Sequence, residues 1–115
     1  MQRWASQLRK GLVEFCVMGA VGDGEAYGYQ IVQRLAAAQE LAVGGSTVYP
    51  ILARMAKDKL VSVRTADSPS GPPRRYYRLT PDGHARLNEM GAYWARICGA
   101  IDKLVKGDGH GQPEF

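Results

Sequence analysis

The sequence has few residues of the kinds that build metal and redox sites. Its two cysteines, Cys16 and Cys98, show no C-x-x-C spacing, and its two histidines, His84 and His110, share no metal-ligand spacing. Each cysteine falls in an apolar helical stripe, so we expect both to be small buried hydrophobic residues, with a redox pair as the alternative. We expect no metal site and no cofactor.

Catalytic arrangements are missing as well. The spacing supports no serine–histidine–aspartate, cysteine–histidine or paired-carboxylate arrangement, and no glycine-rich phosphate loop follows a predicted strand. The sequence therefore predicts a protein that is not an enzyme.

Long apolar runs are absent too. No run approaches the roughly 20 residues that cross a bilayer, and the start, Met1-Gln2-Arg3-Trp4, lacks the apolar region and cleavage site of a signal peptide. We therefore expect a cytoplasmic protein with no membrane partner. Apolar residues make up 45% and charged residues 23% of the 115 residues, which is typical of one globular domain.

Apolar periodicity predicts the helices. After a polar lead at residues 1–7, a first helix is predicted over residues 8–21, apolar nearly all round and so buried on more than one side. A second helix is predicted over residues 27–39, with Tyr27 and Ala38 on its core face. A third helix, capped by Ser46 or Gly45, is predicted to run to about Lys57, with Pro50 in its first turn.

The second half of the sequence predicts a hairpin and a long helix. Alternation of apolar and polar residues over residues 61–66 predicts a strand. Residues 74–79 are predicted to form the return strand, with Tyr77 and Leu79 in the core. A stiff, proline-rich loop at residues 68–73 joins them. Thr80 then caps a last helix over residues 81–106, and residues 107–115 are expected to be disordered.

The last helix carries a heptad seam, because its apolar residues are spaced alternately by three and four positions. The first and last helices together expose more apolar surface than one chain can hide, which favours a homodimer. We expect the dimer contact at Leu8, Leu12, Leu87, Ile97, Ile101 and Leu104.

The positive charge is concentrated. The net charge is +4, but residues 54–78 hold seven basic and two acidic residues, whereas the rest of the chain holds eight basic and nine acidic ones. Three helices followed by a basic hairpin is the order of a winged helix-turn-helix, whose third helix and wing contact DNA. The predicted fold is mainly α with a small β-hairpin: a winged helix-turn-helix domain at residues 8–80 and a C-terminal dimerisation helix at residues 81–106. A solvated basic hairpin without a partner is the alternative.

Four motifs resemble the PadR family of transcriptional regulators. They are LRKGL at residues 8–12, YGYQI at 27–31, STVYPIL at 46–52 and RRYYRLT at 74–80, and the resemblance runs over residues 8–105. It implies a homodimeric bacterial repressor of an inverted-repeat operator, in a short form with a single C-terminal helix. It also implies that the C-terminal helix of one subunit packs on the N-terminal helix of the other. Some short members bind planar aromatic drugs between these helices, and other members respond to phenolic compounds. Lys59 stands where the family usually has glycine, which suits a left-handed helix end, so we expect mild strain at this lysine. The alternative is that the extra cation helps to hold a phosphate.

The predicted DNA-binding residues lie on the third helix and beside the hairpin loop: Ser46, Thr47, Tyr49, Arg54, Lys57, Arg74 and Arg75. Packing is the alternative role for Tyr49, and ordinary surface charge is the alternative for Arg54 and Lys57. An effector, a planar aromatic small molecule, is predicted to bind at Trp94, Tyr93, Phe15 and Met90, unless Trp94 only fills the dimer core. The alternative function is a winged-helix module that binds an acidic protein and not DNA.

Overall fold

The structure is a computed structural model that describes residues 1–22 and 24–107. It consists of α1 (Gln2–Val21), β1 (Ala26–Tyr27), α2 (Gly28–Ala37), a short 3-10 turn (Gln39–Leu41), α3 (Gly45–Lys57), β2 (Val61–Ser68), β3 (Gly71–Leu79), α4 (Pro81–Asp102) and a π-helical segment (Lys103–Gly107). The predicted fold class is confirmed: a mainly helical chain carries one small antiparallel sheet and ends in a long helix.

One core joins the first three helices to the base of the sheet. On α3, Val48, Ile51, Leu52 and Met55 are buried at the spacing of one helical face, as the sequence predicts. They pack against apolar side chains of α1, α2 and the sheet, namely Val17, Met18, Val21, Ala26, Ile31, Leu35, Leu60, Val61, Tyr77 and Leu79. This core fixes the position of α3 relative to the strands.

Helix α1 begins at Gln2, so the expectation of a polar lead at residues 1–7 is wrong. The apolar stripe of α1 starts at Trp4 and continues through Leu8 and Leu12, which extends the helix by two turns. The other end of α1 is held by Arg34 on α2, whose Nη1 donates to the carbonyl of Ala20 at 2.7 Å. A cation at this position also stabilises the negative end of the helix dipole.

The sheet has a third strand that the sequence did not predict. The strand order is β1-β3-β2, and Ala26 and Tyr27 of β1 pair with Tyr77 and Tyr76 of β3. Tyr27 therefore precedes α2 instead of lying within its core face, and its N–H donates to Gln30 Oε1 at 3.0 Å. Ala38, also predicted in that face, is exposed beyond the end of α2.

The wing, defined as β2, β3 and their turn (residues 61–79), is longer than predicted. Strand β3 begins at Gly71, so the turn contains only Pro69 and Ser70, and the predicted loop at residues 68–73 is wrong. The register shifts between Ala66 and Ser68, and Pro72 and Pro73 lie at this irregularity, opposite the stretch of β2 between those two residues. A proline has no N–H to donate and fits such irregular positions.

Helix α3 starts one or two residues earlier than predicted. Its N-cap is Gly44, so Pro50 lies in the second turn and cannot donate to the carbonyl of Ser46. At the other end, Lys59 has a φ of 62°, which confirms the expected left-handed conformation.

The start of α4 is fixed on the end of α3. Thr80 caps α4 as predicted, because its Oγ1 accepts from Gly83 N at 3.0 Å; the same hydroxyl donates to the carbonyl of Lys59 at 2.7 Å. Thr80 N donates to the carbonyl of Leu60 at 3.0 Å. A Cβ on Gly83 would collide with that Leu60 carbonyl, so only glycine allows this close approach.

Beyond Asp102 the chain continues as a π-helical segment to Gly107, close to the predicted helix end. The rest of the predicted disordered tail, residues 108–115 with His110, lies outside the described residues. Within residues 1–22 and 24–107, no helix has an apolar stretch long enough to cross a membrane. The same residues contain no cluster of three potential metal ligands.

The cysteines are half-buried and free, so the expectation that both are buried is wrong. Cys16 packs against the core, and burial raises the pKa of its thiol. Cys98 lies on α4 beside α1. The raised pKa keeps the Cys16 thiol protonated at neutral pH, where it is a weak nucleophile.

Candidate nucleic-acid interface and apolar groove

The face of α3 opposite its buried stripe is exposed. Ser46, Pro50, Ala53 and Lys57 follow one another along this face at helical spacing, and all four are exposed. Ser46 and Lys57 were predicted as DNA-binding residues. Pro50 and Ala53 were not, although Pro50 follows Ser46 by four residues and Ala53 precedes Lys57 by four, which places both on the same stripe. Their small side chains leave the helix backbone open to close approach.

The predicted residue Arg54 lies beside this stripe, towards α1. Its Nη2 is 3.5 Å from Glu14 Oε2 of α1, and both side chains remain partly solvent-accessible. Arg54 is therefore shared between an intramolecular ion pair and the outer surface. The predicted residue Thr47 is exposed at the first turn of the helix.

Tyr49 lies between the first residues of α2 and α3. A Cβ on Gly45 would be 2.7 Å from Tyr49 Cε2, and a Cβ on Gly28 would collide with Tyr49 Cε1. The residue is nevertheless 44% exposed. The ring therefore packs on two glycines, while part of the side chain faces solvent at two helix N-termini; its contact with a phosphate stays a prediction.

A cleft of about 1050 Å³ separates these helix starts from the wing. Tyr27, Tyr29 and Tyr49 line its helical side, and the wing side includes Pro72, Pro73, Arg74 and Arg75. Helix N-termini and arginine side chains both favour anions. The structure therefore brings three of the seven predicted DNA-binding residues, Tyr49, Arg74 and Arg75, to one concave surface that favours anions.

The two predicted wing arginines differ in their surroundings. Strand alternation places Arg74 and Arg75 on opposite faces of β3. The guanidinium of Arg74 lies 4.3 Å from the centre of the Tyr27 ring, and Arg74 is half-buried. Arg75 is exposed. A third arginine of the wing, Arg64, forms a bidentate ion pair with Glu25, at 2.7 and 2.9 Å.

This ion pair changes the acidity of its carboxyl. The hydrogen bonds from Arg64 lower the pKa of Glu25, and the positive charge of Arg78 lowers that pKa further. Glu25 is therefore ionised, and paired, throughout the neutral range.

A second concave surface, the α1–α4 groove, lies on the other side of the chain. It has a volume of about 740 Å³, and Phe15 and Trp94 meet in it with ring centroids 6.4 Å apart. All four predicted effector residues and four of the predicted dimerisation residues line it: Phe15, Met90, Tyr93 and Trp94, with Leu8, Leu12, Ile97 and Ile101.

The other two predicted dimerisation residues lie elsewhere. Leu87 packs against the core of its own chain, and Leu104, beyond the groove, is 84% exposed. Trp4, which the sequence reasoning missed, lines the groove and is 60% exposed. Its position four residues before Leu8 was the available signal.

Comparison with known proteins places this arrangement in a family. The model of the PadR-like transcriptional regulator family matches residues 17–89, which include α2, α3, the wing and the start of α4. The chain belongs to the PadR-like family. It is a transcriptional regulator and not an enzyme, as the sequence predicts.

Solved PadR-like structures have the same fold. A PadR-like transcription factor from Bacteroides fragilis is 38% identical, with 87% of this chain and 96% of that chain covered and a TM-score of 0.74. A PadR family regulator from Eggerthella lenta is 29% identical, with 93% of each chain covered and a TM-score of 0.82.

One similar structure contains DNA. Bacillus subtilis PadR, solved in complex with operator DNA, is 22% identical to this PadR-like chain, with a TM-score of 0.64. The match covers 69% of this chain and 46% of that one, and shows a common fold.

Proposed function

We propose that this PadR-like protein is a sequence-specific DNA-binding repressor that acts as a homodimer on an inverted-repeat operator. The observation that carries the proposal is the exposed stripe of α3, Ser46 to Lys57, beside a cleft walled by arginines. A helix with small side chains in the middle of its outer face can approach base edges closely in the major groove. The operator complex of Bacillus subtilis PadR, a protein of the same fold, supports DNA binding as the function.

The proposed DNA-binding residues differ in whether each contacts base edges or phosphates. Ser46, Lys57 and the stripe between them face the groove, and Ala53 offers a methyl group of the kind that contacts thymine. Tyr49 and Thr47, at the start of α3, meet phosphates together with the helix N–H groups. Arg75 and Arg74 extend the phosphate contact along the wing, and Arg54 contributes a further positive charge.

The homodimer is supported by the α1–α4 groove. Trp94 is 39% and Ile101 48% exposed, and the apolar face continues to Leu104 and Val105. Fully burying one large apolar side chain contributes about 1.5–3 kcal/mol, so a second copy seated on this face removes a large unfavourable exposure. Ultracentrifugation should give a dimer that Ile101→Asp converts to monomer. A wild-type chain that stays monomeric at micromolar concentration contradicts this.

An aromatic effector is supported by the side chains of the same groove. Tyr93, Trp94 and Phe15 present ring faces and edges on which a flat molecule can stack, and Met90 adapts its shape to a ligand. Titration of a Trp4→Phe variant with planar cationic dyes should quench the fluorescence of Trp94 and weaken DNA binding. Intact fluorescence with every dye tested, from a folded dimer, removes the effector from the proposal.

The DNA-binding function is tested by selection. The protein is incubated with a pool of random duplexes, the bound fraction is amplified, and the enriched sequence, called here the selected duplex, is compared with a scrambled duplex by fluorescence anisotropy. We expect an inverted repeat, a preference of at least about a thousandfold over the scrambled duplex, and steep weakening with salt. A module that binds acidic proteins enriches no sequence, and that result overturns the proposal.

Repression is tested separately with a reporter gene. The selected duplex is placed across its promoter, and the protein should lower reporter expression. Increased expression would instead identify an activator.

A further inference from the structure

Five side chains form a continuous row across one face of the sheet. In order they are Glu25, Arg64, Tyr76, Tyr27 and Arg74. Arg64 is paired with Glu25 by two hydrogen bonds and lies 4.8 Å from the centre of the Tyr76 ring. The rings of Tyr76 and Tyr27 meet edge to face, with centroids 5.7 Å apart, and Arg74 covers the Tyr27 ring. We call this set the stacked row.

The stacked row connects the wing to the segment that begins α2. Arg64 belongs to β2, and Tyr76 and Arg74 belong to β3, whereas Glu25 and Tyr27 precede α2 directly. Strand β1 pairs with β3 at Tyr76 and Tyr77, whereas from Arg75 to the turn β3 pairs with β2. The contact of Arg74 with Tyr27 therefore attaches the wing to the segment before α2 at a point farther along β3 than the pairing with β1 reaches.

The same segment touches the proposed DNA-reading helix. Tyr27 is followed by Gly28, on which the ring of Tyr49 packs. Glu25 is the only acidic member of the row, and its carboxylate takes up both donors on one side of the Arg64 guanidinium. Arg64 and Arg75 are both exposed residues of the wing, but the charge of Arg64 is paired with a carboxylate of its own chain.

We infer that Glu25 and Arg64 are positioning residues: they hold the wing at a fixed angle to α3, so that both meet one duplex, and Arg64 does not itself neutralise a phosphate. This inference rests on the proposed DNA-binding function. It predicts a change in DNA affinity opposite in sign to the one that charge alone would give. Removing the negative charge of Glu25 should weaken binding to a polyanion, because the gain in Coulomb attraction is smaller than the loss of wing alignment.

The test compares two matched carboxylates. Glu25→Gln and Glu14→Gln each remove one negative charge that is paired with an arginine, but Glu14 pairs with Arg54 of α3 and has no contact with the stacked row. On the selected duplex, Glu25→Gln should bind about threefold to tenfold more weakly than wild type, an effect in the lower part of the range of coupling energies within contacting networks. Glu14→Gln should bind as tightly as wild type or more tightly.

Two further readouts separate positioning from a lost phosphate contact or a folding defect. Arg64→Gln should weaken binding to the selected duplex without changing the slope of log K against log salt, since each lost phosphate contact would reduce that slope by about 0.9. Binding of Glu25→Gln to the scrambled duplex should not weaken, and this confirms that the variant is folded.

The outcomes are distinguishable. Tight binding of Glu25→Gln to the selected duplex, equal to that of Glu14→Gln, overturns the positioning role and leaves the proposed function standing. A reduced salt slope for Arg64→Gln also overturns it, because Arg64 would then be a phosphate contact. If the wild-type protein selects no duplex, the proposed function itself fails.

Discussion

The ring of Tyr49 packs directly on Gly28, so that the first residue of α2 and the second turn of α3 touch through one aromatic side chain. This contact joins two helix N-termini at the rim of the cleft. A side chain at position 28 would occupy the space that the Tyr49 ring fills.

Replacing Gly28 by alanine should therefore displace the Tyr49 ring. Because that ring is partly exposed, it can turn into solvent, and we expect the free energy of unfolding to change by less than about 1 kcal/mol. DNA binding should weaken by about tenfold, the value of one hydrogen bond to a charged group. Anisotropy with the selected duplex and thermal unfolding measure the two effects. Gly19→Ala is the control, since a Cβ there meets nothing within 4 Å. Equal DNA affinity of Gly28→Ala and wild type would remove Tyr49 from the interface.

Replacing Gly83 by alanine should destabilise the fold, because the new Cβ collides with the backbone carbonyl of Leu60 and not with a movable side chain. Overpacking of this kind costs about 1–3 kcal/mol. Chemical denaturation measures the loss. Gly91→Ala, in the same helix and with nothing within 4 Å, should instead stabilise by up to about 1 kcal/mol. A Gly83→Ala variant as stable as wild type would show that α4 is not fixed to the end of α3.

Replacing Lys59 by glycine should stabilise the protein by about 1 kcal/mol, because glycine adopts a φ of 62° without the steric penalty of a side chain. Lys59→Ala keeps that penalty and should give no gain. Denaturation midpoints of the two variants measure the difference. If alanine stabilises as much as glycine, the cause is the lysine charge and not the backbone.

Replacing Arg75 by alanine should flatten the salt dependence of DNA binding. Each phosphate contact contributes about 0.9 to the slope of log K against log salt, so the slope should fall by that amount per subunit in contact. Arg96→Ala makes the same charge change on α4, where Arg96 covers Tyr93, and should leave the slope unaltered. Identical slopes for Arg75→Ala and wild type would exclude Arg75 from the phosphate contact.

The Glu25 carboxyl should titrate below its ordinary pKa of 4.5, because Arg64 hydrogen-bonds to its ionised form. A lowered folded-state pKa means that the stabilisation is fully present above the unfolded pKa and is lost as the pH falls through the folded pKa. The ion pair is therefore intact at neutral pH and breaks only in acid. An NMR titration measures the midpoint, and Arg64→Gln should raise it. A midpoint that does not move would show that the pair is absent in solution.

The sequence predicted the parts of the fold that depend on local pattern. The buried stripe of α3, from Val48 to Met55, follows a single helical period, and Thr80 caps α4 as its sequence context indicates. Both features depend on residues within a few positions of each other. The winged helix-turn-helix could therefore be predicted from these patterns.

The missed features depend on partners that are distant in the sequence. Strand β1 has only two residues, too few for alternation to be detected, and it forms because Tyr76 and Tyr77 lie beside it. The pairing of Arg64 with Glu25 spans 39 positions. A charge count treats all the arginines of residues 54–78 alike, so it could not show that Arg64 is paired with Glu25.

Some predictions concern interactions that one chain cannot display. The division into a DNA-binding domain at residues 8–80 and a dimerisation helix at residues 81–106 stays a prediction, as does the role of each DNA-binding residue. The structure supports them by placing Trp94 and Ile101 in an apolar groove and Ser46 and Lys57 on an exposed stripe. Their test requires a second copy and a duplex.

Hydroxyl-radical footprinting of the protein on the selected duplex tests the central claim most directly. Two copies of α3 in one dimer should protect two symmetric patches about one helical turn apart, roughly 34 Å, with the wing protecting the backbone beside each patch. Lys57→Ala combined with Arg75→Ala should erase both patches together. A single unpaired patch, or protection that is equal on the scrambled duplex, would contradict the account of a dimer with two DNA-reading helices.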